Sequence, residues 1–186
     1  MSFEVPMTVR IAVIYAHLLG ALALFMGYGI EWTASALFRG ASSTEQVRAW
    51  LRVFKVSPPL SGAGLGVLLL SGGYLASLSG AMREGWIPAA LLAIGVALLI
   101  GFLLILPRMR AIRRSLPSLN EPVGDDLGAH LSDPLLLTAI RVRVLLAAGI
   151  VYLMIAKSGF NPSLLALGVA LILGLLFSVS VWRRPS

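Results

Sequence analysis

Four ionisable side chains lie inside stretches that are otherwise apolar: His17, Glu31, Arg141 and Arg143. His17 and Glu31 share the run IAVIYAHLLGALALFMGYGIEW at residues 11–32, and the two arginines share LLLTAIRVRVLLAAGIVYLMIA at 135–156. An imidazole in such surroundings serves as a proton relay, a metal ligand, a haem ligand or a packing residue bonded to a neighbour. Tyr74 and Tyr152 fall at comparable depth on other runs and are the expected packing partners. Met7, Met82 and Met154 fall at the same ends of their runs as His17. Thioether plus imidazole suits Cu(I). His17 with Met154, or His17 across a dimer, would supply the axial pair of a haem b. His130 belongs to the opposite side, which excludes a bis-histidine haem within one chain.

The carboxylate and the arginines raise a different chemistry. Arg141 and Arg143 are two positions apart, about 200° around a helix, so they cannot share a face. Counting about 1.5 Å per residue, His17 lies roughly 9 Å deep, Glu31 near the far boundary, and the arginines about 6 and 9 Å inside it. The apolar run after Arg143 is too short to span alone, so neither arginine can be moved out of the membrane by redrawing the helix. The expectation is a structural ion pair from Glu31 to one arginine, with the other snorkelling to the head groups. An anion or lipid-phosphate site shared with Arg108, Arg110, Arg113 and Arg114 is the functional alternative. Conventional catalytic sets are missing: the chain has no cysteine, no second histidine beside the first and no carboxylate pair in a span. A soluble-type enzyme is therefore not expected.

The elements that must hold these residues are set by composition. Apolar residues make up 58% of the 186 positions against 12% charged, and mean hydropathy is +0.91, outside the soluble range. Uncharged runs of about 20 residues, each able to cross ~30 Å of hydrocarbon, predict an all-α membrane fold in one domain. Five spans are expected, at about 11–31, 60–81, 86–107, 135–156 and 163–182. The first run ends in helix that continues through TASALF to a break at Arg39-Gly40. Ala34-Ser35-Ala36 has the small-residue pattern of a signal-peptidase site, but the run is too long and too little positive charge precedes it, so a retained span is expected.

Ser43 and Gln46 have capping-box spacing, and they open an amphipathic helix at 44–56. Val47, Trp50, Leu51 and Phe54 share one face, with Arg48, Arg52 and Lys55 opposite, the pattern of a helix lying in the membrane interface and ending at Ser57-Pro58-Pro59. A partner-binding helix has the same pattern. GAGLG at 62–66 lacks the strand that a phosphate loop needs, so Gly62 and Gly66 are expected to form a close helix-packing surface. Residues 115–133 are the longest polar stretch, read as a loop closed by Asp133-Pro134 as N-cap and first turn. Asn161-Pro162-Ser163 is not a glycosylation acceptor.

Five spans put the termini on opposite sides. One side receives Arg10, Arg83 and Lys157; the other receives ten basic residues, Arg39, Arg48, Arg52, Lys55, Arg108, Arg110, Arg113, Arg114, Arg183 and Arg184. The positive-inside rule then predicts the N-terminus outside and the C-terminus in the cytoplasm of a bacterial inner membrane. The net charge of +7 is thus assigned to anionic lipids on the cytoplasmic side and not to nucleic acid.

The segments AHLLGALALFMGYG, SGGYLA, GWIPAALL running into LPRMR, and SDPLLLTAIRVRVLLAAGIVYLMIAK resemble a family of small bacterial proteins described as predicted integral membrane proteins, a domain of unknown function. That resemblance covers most of the chain and implies no particular activity. The first-span histidine followed by small residues is also similar to copper-resistance D-type proteins and to the membrane haem protein acting as protoporphyrinogen oxidase. The second in-membrane histidine or lysine of that pattern is missing, so the likeness extends only to His17. Three functions are weighed on these residues: a haem- or copper-handling membrane module with His17 as ligand; a non-catalytic subunit whose glycine-rich spans pack against a membrane-protein partner or a second copy; and a small carrier, which requires a polar pathway from His17 to the Glu31 layer.

Overall fold

A computed structural model describes residues 6–117 and 123–182. The described residues are helical, with no strand among them, and include five helices long and apolar enough to cross a membrane. In chain order the elements are α1 (Met7–Phe38), α2 (Thr44–Ser79), α3 (Trp86–Ile100), a π-helical segment Gly101–Ile105, α4 (Leu106–Arg114), α5 (Asp125–Leu131), α6 (Pro134–Ala156) and α7 (Phe160–Trp182). The third of these helices is α3, the π segment and α4 taken together, Trp86–Arg114. Arg183 and Arg184, and residues 118–122 of the polar stretch, lie outside the described residues.

α1 and α2 form one antiparallel hairpin and α6 and α7 another; α1 packs on α6, and α3 lies against α6 and α7. α2 and α3 hardly touch along their length. The bundle is therefore closed on the α1–α6 side and splayed between α2 and α3. At the arginine-rich end, Phe38, Val47, Leu51, Phe54, Ile112, Leu127, Leu136 and Ile140 form the largest buried cluster. α5 caps that cluster with Leu127 and Leu131, a short helix in what the sequence presents as loop. A smaller cluster at the opposite end joins Ala89, Ala90 and Ala93 of α3 to Leu153 and Leu167.

α2 differs from the sequence expectation in three ways. The amphipathic helix does not end at Ser57-Pro58-Pro59: α2 is one helix from Thr44 to Ser79, with both prolines inside it. Each proline removes a backbone donor, so the carbonyls of Phe54 and Lys55 lose their usual partners. Phe54, Ser57 and Ser61 are nevertheless buried, and this packing holds the turn in helical form. The apolar face of Val47, Leu51 and Phe54 is spent on the protein's own core, and so is not the membrane-facing surface its pattern suggests.

The Gly62 and Gly66 pair is not the packing surface. Nothing lies within 4 Å of a Cβ placed at either position. The close approach uses the other side of α2, where a Cβ on Gly64 would sit 2.7 Å from the Gly20 carbonyl oxygen and 2.7 Å from the Leu24 nitrogen. Gly27 of α1 meets Ser57 and Ser61 in the same way. Small residues do bring the helices together, one face away from the expected motif.

The caps follow the sequence more closely. Ser43 Oγ accepts from the Gln46 backbone at 3.4 Å, while Gln46 Oε1 accepts from the Ser42 backbone at 2.9 Å, one residue earlier than a regular capping box. Asp133 caps α6 by accepting from the Leu135 backbone at 2.8 Å and also pairs with Arg108 at 2.7 Å.

Candidate functional site

The buried polar layer begins with Glu31, on the face of α1 turned toward both α2 and α6. Its side chain accepts two hydrogen bonds: Oε1 from Ser57 Oγ at 2.8 Å and Oε2 from Arg143 Nη1 at 2.9 Å. Glu31 is 3% exposed and Arg143 9%, so this is an ion pair withdrawn from the surface. The Arg143 guanidinium also stands over the Tyr28 ring, 4.6 Å from its centroid. Arg141 goes elsewhere, as two positions of helix demand. Its Nη1 donates to the Phe177 carbonyl at 2.6 Å, and its guanidinium lies 5.6 Å from the Trp32 centroid.

Across from Arg143 the third span is irregular. The π segment begins at Gly101, where a Cβ would stand 3.5 Å from Arg143 Cζ, so bare backbone walls the guanidinium. Pro107 sits just beyond, and its missing N–H and its ring both disfavour a regular α turn there. Gly101 and Pro107 are the sequence signal for this feature, which the run of apolar letters conceals. Gly101, Ile105, Met109, Arg110 and Arg113 join Tyr28, Glu31 and Arg143 around a cavity of about 460 Å³.

His17 lies in the other half of the molecule. Its Nδ1 is 3.0 Å from Ser71 Oγ, which is not the tyrosine partner expected: Tyr74 and Tyr152 are 38% and 57% exposed. Ser71 donates its own proton to the Val67 carbonyl. The hydroxyl is then placed to accept from an Nδ1–H, the tautomer that leaves Nε2 with a lone pair, and the Leu68 backbone also lies within reach of the ring. Gly72 makes room for the ring, since a Cβ there would lie 3.0 Å from His17 Cε1.

A second cavity, of about 430 Å³, opens beside His17. Met82 and Met154 line it, with Lys157, Trp86 and a wall of small residues that includes Ala21, Gly72 and Ala147. Met7 does not join them; it is 69% exposed at the start of α1 and outside the lining, so of the three methionines only two share a cavity with the histidine. His130 is on α5, bonded to the Asp126 carbonyl at 2.8 Å. Among the described residues no group of three or more His, Cys, Asp or Glu converges as a metal site. The two cavities share Leu24 and Leu65 as lining, so aliphatic side chains stand where a carrier would need a polar pathway.

Fold and site together define an all-α protein with five apolar helices of membrane-crossing length, a buried Glu–Arg layer in one half and a histidine-lined apolar cavity in the other. No family model, curated protein or solved structure matches this chain.

Proposed function

We propose that this is a multi-pass protein of the bacterial cytoplasmic membrane that holds a metal-centred ligand, Cu(I) or haem iron, through His17 Nε2. The observation that carries the reading is the committed Ser71 hydroxyl. Metal-binding imidazoles are characteristically fixed by a hydrogen bond at the other ring nitrogen, and Ser71 supplies it at Nδ1. The cavity beside the ring gathers soft donors and small residues. Met82 and Met154 would be the soft thioether ligands to Cu(I), and either of them with His17 would hold a haem iron. The small-residue wall gives a flat apolar body somewhere to lie, and Lys157 brings a cation to the same lining. When bound, such a centre supplies one-electron chemistry or metal transfer; the chain's own part is to fix the imidazole and keep water away from it. The arginine-rich end faces the cytoplasm in this reading, which puts the His17 cavity in the outer half.

The visible absorption spectrum and metal content of the purified protein test it. A Soret band or stoichiometric copper is expected in the wild type and absent from His17→Ala. Ser71→Ala, which removes the side-chain hydrogen bond to the ring and leaves the Leu68 backbone beside it, should weaken loading by about tenfold. Identical spectra and metal content in wild type and His17→Ala would sink the proposal.

A further inference from the structure

The cavity around Glu31 and Arg143 has the composition of a second binding site, independent of His17. Its lining carries one carboxylate and three guanidiniums: Glu31 against Arg143, Arg110 and Arg113. Glu31 is already committed to Arg143 and Ser57. Arg110 and Arg113, one turn apart on α4, are exposed and form no ion pair with a described residue. Arg143 also keeps its Nε buried and without a hydrogen-bond partner among the described residues. Two positive charges are therefore left over, together with an unused buried donor. Apart from Ser61 and Tyr28 the remaining walls are apolar, with Leu24, Leu65, Leu98, Phe102 and Leu106 among them.

Access comes from the side. Because α2 and α3 hardly touch, a cavity lined by both opens toward whatever surrounds the bundle, and for helices this apolar that medium is lipid. A fully hydrated anion would gain from the arginines and nothing from the walls. A purely apolar molecule would leave the arginines unused. We propose that the cavity binds a phosphoryl group carried on an apolar body, the headgroup and upper chain of one acidic phospholipid from the leaflet at the arginine-rich end. Arg110 and Arg113 hold the phosphate, and the chain lies between α2 and α3.

The test uses the full-length protein purified in mild detergent and offered phosphatidylglycerol, phosphatidylcholine or inorganic phosphate. Lipid retention is read by native mass spectrometry. One phosphatidylglycerol should be retained in preference to phosphatidylcholine, and excess inorganic phosphate should not displace it. Arg110→Gln with Arg113→Gln should lower its retention roughly ten- to thirtyfold. Both side chains are exposed, so the fold is not at stake. Arg52→Gln with Arg114→Gln removes the same charge from exposed positions outside the lining and should leave retention unchanged. Displacement by inorganic phosphate would overturn the lipid as source in favour of a soluble phosphorylated compound. Equal retention of both lipids, or equal loss in both double variants, would overturn the site itself.

Discussion

At the scale of single residues, the Glu31–Arg143 pair dominates because both charges are withdrawn from water and each partly neutralises the other. Such a pair contributes little net stability as a unit, yet removing one member leaves an uncompensated buried charge at a cost of about 3–5 kcal/mol. Glu31→Ala and Arg143→Ala should each lower thermal stability in detergent by that order, and the double variant should lose clearly less than their sum. Arg141→Ala, which gives up only a carbonyl contact and the Trp32 ring at a partly exposed position, should cost less than either. If Arg141→Ala matches Arg143→Ala, the pair is not what holds this layer. The sequence carries the types, the depth and the rule that the two arginines point apart. Which of them turns to Glu31 depends on how α6 is rotated against α1, and no spacing within a single helix encodes that angle. The same limit explains His17: its depth is readable from the run, but Ser71 and Tyr74 differ by less than a turn and only the packed hairpin chooses between them. Gly72→Ala offers a second check at this scale. The added methyl would press on the ring at 3.0 Å without deleting the imidazole. Metal loading should fall while overall stability changes by no more than about 1–3 kcal/mol.

At the scale of elements, the helices are legible as runs and their faces are not. The five spans, the continuation of α1 past Glu31, and Asp133-Pro134 as the start of α6 all follow from hydropathy and capping chemistry. The joining of the amphipathic segment to the second span does not, because two consecutive prolines ordinarily end a helix and here buried neighbours override them. The π segment escapes a reading by hydropathy altogether. The glycine motif is the most instructive case: Gly62-x-x-x-Gly66 has the right letters, but α2 is rich enough in small residues to offer more than one small face. A substitution series decides between them. Gly64→Ala places a methyl 2.7 Å from α1 backbone atoms that cannot step aside, and it should destabilise the hairpin by about 1–3 kcal/mol. Gly62→Ala and Gly66→Ala meet nothing and should be neutral or slightly stabilising through better helix propensity. Thermal unfolding of the three single variants measures this directly, and the reverse ranking would restore the expected motif as the contact face.

At the scale of the whole molecule, the fold sets the buried Glu31–Arg143 layer and the His17 cavity in different halves of the bundle. The arginine-rich end is tightly packed, capped by α5 and tied together by Arg108 with Asp133 and by Arg48 donating to the Pro117 carbonyl at 2.7 Å. The other end closes on alanines and leaves the His17 cavity beside them. Charge asymmetry between the two ends then has a consequence for insertion. Three basic residues against ten favour retention of the arginine-rich end in the cytoplasm, and the rule weighs such residues most heavily in short loops and near span ends. Because the chain has no cysteine, single cysteines report topology without background. Arg83→Cys, exposed in the short turn between α2 and α3, should react with a membrane-impermeant maleimide in intact cells. Glu45→Cys, exposed at the start of α2, should react only after the membrane is opened. The opposite labelling pattern would invert the orientation, placing the His17 cavity in the cytoplasmic half and the Arg110–Arg113 pair at the external leaflet.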